Sequence, residues 1–229
     1  MAETMQITSL DGSGMMPAYA NGPASAKAAI IVVQEIFGVN PGIRALVDHW
    51  AGLGYRAVAP ELYWQFASNV SLDPEAPEHF ETAIGYRQKL DMDTAIRDIE
   101  ATIKTLRASG IRKVGLVGYC LGGFIAYLSV CRTDVDASVG YYGVRVPQVL
   151  NEAKAIANPL IMHIATQDSF VPPADQAAMH SALDGHELVT LYDYDADHGF
   201  ARHDGASRSP DMADLADGRT AAFFKQHLG

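Results

Sequence analysis

Apolar and polar positions alternate or cluster along this chain with two clear periods. Met5 to Ser9 and Met15 to Ala20 read as short strands joined by the turn Asp11-Gly12-Ser13-Gly14, an antiparallel hairpin suited to a sheet edge. Ala28 to Val33 is continuously apolar, as in a strand covered on both faces. Asn40 to Leu53 places Ile43, Leu46, Val47 and Trp50 on one helical face, with a start at Asn40-Pro41 and a stop at Gly54. Tyr55 to Ala59 is the next strand, ended by Pro60. Residues 61 to 80 carry Trp64, Phe66, Pro74 and Pro77 without a period, and loops of that length often form lids or substrate walls.

A helical pattern then runs from Glu78 to Ala108, with a break expected near Leu90-Asp91-Met92. Strand-like runs follow at Lys113 to Gly118, Ala137 to Tyr142, Pro159 to Thr166 and Glu187 to Tyr194. Helical runs follow at Leu121 to Cys131, Pro172 or Pro173 to Leu183, and Pro210 to His227. Such alternation predicts an α/β fold: a mostly parallel central sheet flanked by helices on both faces. The whole of residues 1–229 is expected to form one domain, with no repeat or linker.

Sites in such sheets lie beyond the carboxyl ends of the strands. Those ends present Gln34-Glu35-Ile36-Phe37-Gly38, Tyr119-Cys120-Leu121, Gln167-Asp168, and Asp195, Asp197 and His198. The segment Gly118-Tyr119-Cys120-Leu121-Gly122 has the form of a strand-turn-helix nucleophile elbow, with cysteine where serine is usual. The chain order nucleophile, acid, histidine also fits that arrangement. Cys120 is the candidate nucleophile, its thiolate favoured by the helix N-terminus; His198 is the base or imidazolium partner, and Asp168 holds its tautomer. The backbone N–H of Leu121 is one oxyanion donor, and a second is expected from Ile36 or its neighbours. Glu35 is a carboxylate placed to control the protonation of Cys120; otherwise it is a strand-end group reaching solvent. Plain alternatives exist for the others: a core cysteine, an Asp168 that caps a helix, or His203 in place of His198.

Composition narrows the options. The formal net charge is −10 over 229 residues, which argues against a nucleic-acid partner. Cys120 and Cys131, if on one helix, stand roughly 16 Å apart, too far for a disulfide. No signal peptide or membrane-length apolar run is read, so a reducing cytoplasm is expected. The loop cluster Asp195, Asp197, His198, His203 and Asp204 matches no metal motif, and the glycines at 115, 118, 122 and 123 fit no nucleotide fingerprint. No metal and no cofactor are expected.

The segments Gln34 to Asn40, Gly115 to Gly123, Val139 to Gly143 and His198 to Arg202 resemble the dienelactone hydrolase (carboxymethylenebutenolidase) family over nearly the whole chain. The resemblance implies a cytoplasmic, monomeric, cofactor-free α/β-hydrolase acting on a small unsaturated lactone that bears a carboxylate, a step in chloroaromatic degradation. It implies Cys120, Asp168 and His198 as triad, and Glu35 as the group that takes the thiol proton when substrate binds. Of two arginines that hold the substrate carboxylate in the family, one matches Arg202. Phe80 stands at the place of the other, with Arg87 a nearby replacement or a solvated helix charge. Phe37 and Tyr119 are further substrate-contact candidates. Alternatives are an esterase or thioesterase with another substrate, or a non-catalytic binder or thiol redox sensor.

Overall fold

The computed structural model describes residues 2–203 and 205–229, and Asp204 of the loop cluster lies outside the described residues. The chain divides into two compact units, Met1–Gly115 and Leu116–Gly229. Eight strands, among the described residues, follow the order β1-β2-β4-β3-β5-β6-β7-β8.

In the first unit, β1 (Glu3–Thr8) and β2 (Met15–Asn21) pair antiparallel, as the intervening turn requires. Asp11 Oδ1 accepts from Ser13 N–H, and Ser9 N–H donates to Gly14 O at 3.0 Å, which closes the hairpin. β2 alternates exposed and buried residues, with Met16, Ala18 and Ala20 inward. It pairs antiparallel with β4 (Arg56–Pro60), and β4 pairs parallel with β3 (Ala28–Val33). Every residue of β3 is buried, so both of its faces are covered. Helix α1 (Pro41–Gly52) begins where Asn40 Oδ1 accepts from Ile43 N–H at 3.1 Å, and it buries Ile43, Val47 and Trp50.

The long helical pattern is two helices, α2 (Pro77–Lys89) and α3 (Met92–Ala108). The break has a cause: Asp91 turns extended and caps α3 through Thr94 N–H at 2.8 Å. The aperiodic stretch before α2 is held by specific bonds. Leu72 N–H donates to Phe37 O at 2.9 Å, and Asn69 N–H donates to Glu61 Oε2 at 3.0 Å. Gly38 has φ 78°, and a Cβ there would lie 2.0 Å from Val70 O. Only glycine lets these two segments approach so closely.

β5 (Lys113–Tyr119) begins in the first unit and ends in the second, where α4 (Leu121–Arg132) follows. α4 is buried from Leu121 to Val130, as suits a helix whose own residues are mostly apolar or small all round. The parallel strands β6 (Ala137–Tyr141), β7 (Leu160–Ala165) and β8 (Val189–Tyr194) complete this unit. β6 stops one residue short of the sequence expectation because Tyr142 has φ 38°, which ends extended backbone. β8 starts two residues later than expected, since Val189 N–H donates to His186 O in a turn. A 3₁₀ helix at Val146–Ala155, kinked at Val149, is an element that the sequence pattern did not predict. Helices α5 (Pro173–Leu183) and α6 (Pro210–Leu228) pack on β8 and β6 respectively.

Candidate active site

The site is built first by steric necessity at the end of β5. A Cβ on Gly118 would lie 2.0 Å from Gly122 O and 2.3 Å from Gly122 C. The turn can therefore be this sharp only with glycine at 118. Cys120, at its apex, has φ 54° and ψ −110°, a conformation that L side chains avoid. The surroundings hold it there. Cys120 N–H donates to Tyr141 O at 3.0 Å, and Phe124 N–H donates to Cys120 O at 3.2 Å as α4 begins. The thiol thus stands at a helix N-terminus, where the dipole favours a negative charge.

Asp168 follows β7 and is 3% exposed. Its Oδ1 accepts from Phe170 N–H at 2.8 Å, and its Oδ2 meets His198 Nδ1 at 2.7 Å. A buried carboxylate is costly unless both oxygens find donors, and here both do. His198 follows β8, and its side chain is 10% exposed. Its backbone N–H donates to Asp197 Oδ1 at 2.6 Å, while Arg202 N–H donates to Gly199 O at 2.8 Å, so the loop is folded on itself. A His198 ring nitrogen and Cys120 Sγ lie within 4.8 Å.

The charges follow from this geometry. Burial by itself would lower the His198 pKa. The negative charge of Cys120, then the hydrogen bond to Asp168, outweigh it and push the imidazole up to about 10. The imidazole thus stands between the Cys120 sulfur and the Asp168 carboxylate. His203, the other histidine of this loop, is exposed. Cys131 is a free thiol in α4, and burial pushes it up to about 11, which makes it a poor nucleophile.

The other predicted residues divide between the units. In the first unit Glu35 is 4% exposed at the carboxyl end of β3, not a solvent-reaching carboxylate, and Ile36 and Phe37 beside it are buried. The Tyr63 hydroxyl donates to Ile36 O at 3.1 Å and fixes that peptide. Phe80 is 43% exposed on α2, where Arg87 is half-buried. In the second unit Leu121 is fully buried, and Tyr119 is 3% exposed with its ring stacked 4.8 Å from Tyr141. Arg202 is half-buried, with Nη2 against Gly199.

Two residues at the site escaped the sequence reading. The rings of Tyr142 and Phe170 pack edge-on against His198, with centroids 5.0 Å and 4.9 Å away. Their positions, directly after β6 for Tyr142 and in the loop after β7 for Phe170, were a signal, but neither shows which way a ring turns. Cys120 and His198 could also offer a thiolate and an imidazole to a metal ion, although Asp168 already engages the imidazole.

Comparison with known proteins places the chain among well-described relatives. The sequence model of the dienelactone hydrolase family matches residues 16–228. A provisionally named carboxymethylenebutenolidase of Azospirillum brasilense is 39% identical, covering 94% of this chain and 95% of its own. The carboxymethylenebutenolidase of Pseudomonas putida is 37% identical over 98% of this chain and 96% of its own. A crystal structure of a provisionally named dienelactone hydrolase from Klebsiella pneumoniae superposes with a TM-score of 0.86 at 27% identity, covering 99% of this chain and 98% of its own.

Proposed function

The chain belongs to the dienelactone hydrolase family, a family of ester and lactone hydrolases, and on that premise we propose that it opens an activated enol lactone through an acyl-cysteine intermediate. The observation that carries this reading is Cys120 at a strained apex, with an imidazole beside it that Asp168 orients. The Cys120 thiolate attacks the lactone carbonyl carbon. The backbone N–H groups of Leu121 and Ile36 hold the oxyanion of the tetrahedral intermediate. The ring carbon–oxygen bond breaks, the enolate takes its proton from the His198 imidazolium, and a thioester remains. His198 then deprotonates a water, which attacks the thioester and returns the thiolate. Enolates are good leaving groups, so a thiolate suffices here, whereas amides are poor substrates.

Glu35 takes the Cys120 thiol proton when substrate binds. Its burial at the carboxyl end of β3 supports this role. Arg202 grips the substrate carboxylate through its planar fork. Phe37 and Tyr119 line the substrate, and Arg87 assists from α2. The enzyme acts as a monomer on a small molecule in the reducing cytoplasm, within aromatic-compound degradation; both cysteines are free, as that compartment requires. Among the described residues no helix is long and apolar enough to cross a membrane.

A second reading has one specific support. Phe80, at the place of the family's other arginine, presents an exposed ring, which suits a less charged ester or thioester.

Ultraviolet-monitored hydrolysis of cis- and trans-dienelactone tests both readings. Turnover is expected in the unmodified protein and its loss in Cys120→Ala. Glu35→Gln is expected to slow acylation and to change its pH profile. Turnover surviving in Cys120→Ala would falsify the acyl-cysteine route. No turnover of either lactone, with neutral esters cleaved, would favour the second reading.

A further inference from the structure

Phe170 is 58% exposed, the most exposed large apolar side chain among the described residues. A single exposed phenylalanine is ordinary on a protein surface. This one is not loosely placed. Its own N–H donates to Asp168 Oδ1 at 2.8 Å, so its backbone is tied to the carboxylate that orients His198. Val171 follows, 4% exposed, then Pro172 and Pro173, which stiffen the segment. The ring meets His198 edge-on, with centroids 4.9 Å apart and planes at 68°. The Tyr142 ring closes on the imidazole at 5.0 Å and 64°. One of these two rings is buried and the other faces solvent.

The exposed ring packs on the imidazole that the proposed reaction uses as proton donor. A departing oxygen must come within hydrogen-bonding distance of His198 to receive its proton. A leaving group held there is next to the imidazole on which the Phe170 ring packs. We propose that Phe170 is a specificity-determining residue that packs the leaving group and favours aryl and conjugated enol groups over saturated ones. Planar unsaturated groups gain offset or edge-on contact with the ring that a saturated group lacks. The proposal rests on the reading of Cys120 and His198 as nucleophile and proton donor.

The test compares phenyl acetate with hexafluoroisopropyl acetate in the unmodified protein, Phe170→Ala and Phe170→Tyr. The two esters have leaving groups of similar acidity and form the same acetyl-enzyme, so kcat/KM isolates the leaving-group contact. The aryl-to-alkyl ratio of kcat/KM is expected to fall about 3- to 10-fold in Phe170→Ala and to be restored in Phe170→Tyr. Alkylation of Cys120 by iodoacetamide and the thermal midpoint show that the variant is folded; if Phe170→Ala does not fold, Phe170→Leu carries the same comparison. An unchanged ratio, whether both rates fall together or neither falls, overturns the proposal. Cys120→Ala separates the two layers: if it is inactive while the ratio is unchanged, only the Phe170 proposal fails. If it still cleaves both esters, the acyl-cysteine reading fails first.

Discussion

Gly118 shows how one missing methyl group permits a site. Its Cβ would meet Gly122 backbone atoms, which cannot turn aside as a side chain can. Gly118→Ala is expected to cost about 3 kcal/mol or more, above the usual overpacking range because backbone must move. Urea unfolding checks the cost, and turnover should fall with it, since Cys120 rides on the same turn. Arg202 carries a different prediction. Arg202→Ala is expected to raise KM about 10- to 100-fold for carboxylate-bearing lactones, the worth of a charge-assisted bond lost, and to leave neutral esters unchanged. Steady-state comparison of the two substrate classes decides; equal losses would mean that Arg202 only supports the loop. At this scale the sequence was most informative where chemistry is local. Gly118-x-Cys120-x-Gly122 reads directly, but the choice of His198 over His203 depends on a bond to a residue 30 positions away.

At the scale of elements, α3 joins the aperiodic segment through a partly buried pair. Trp64 Nε1–H donates to Asp98 Oδ2 at 2.9 Å. Burial pushes the Asp98 carboxyl up to about 6, and the Trp64 bond offsets this only in part. The folded chain therefore binds a proton that the unfolded chain has lost between about pH 4 and pH 6. Stability falls as pH rises through that window. Asp98→Asn keeps an acceptor for Trp64 without the charge, so it is expected to stabilise by about 1–3 kcal/mol at pH 7.5 and not at pH 4. Urea midpoints at both values test it, and equal effects at both would exclude the buried charge as the cause. Helices α1 and α3 were legible from their apolar faces, the other helices and the strands from apolar runs bounded by proline and glycine, and the α2–α3 break because Asp91 caps. The 3₁₀ helix at Val146–Ala155 was not, since its backbone breaks at Val149 and 3₁₀ geometry does not follow the α-helical period.

At the largest scale, the second unit is tied together through a polar network buried beneath its strands. His163 on β7 meets Tyr194 Oη on β8 at 2.8 Å and Thr220 Oγ1 on α6 at 2.9 Å. Tyr141 on β6 shares Thr220 at 2.6 Å and donates to Asp217 Oδ1 at 2.9 Å. Burial, and secondarily the Arg219 charge, push His163 down to about 3, so it is neutral in the folded chain. The unfolded chain binds the extra proton as pH falls from about 6.5 toward 3, and stability drops across that window. His198 acts in the opposite direction. Its raised pKa contributes stability that is whole below about 6.5 and lost as pH rises through about 10. In the Asp98→Asn background, which removes the opposing Asp98 slope, unfolding free energy measured from pH 7 to pH 4 should decline, with His163 supplying up to about 1.4 kcal/mol per pH unit. In His163→Gln that part of the slope should vanish; an unaltered slope would remove His163 from the account.

The sequence by itself determined what short-range physics controls. Apolar period set the strands and helices, and glycine spacing set the turn that exposes a cysteine. The arrangement of strand ends set which acids and histidines were worth considering. Tertiary structure decided the pairings: which histidine meets Asp168, which rings enclose the imidazole, and that His163 is locked neutral between three elements. Those outcomes depend on the directions side chains take after loops close, and partners far apart in sequence leave no periodic trace from which such directions can be read.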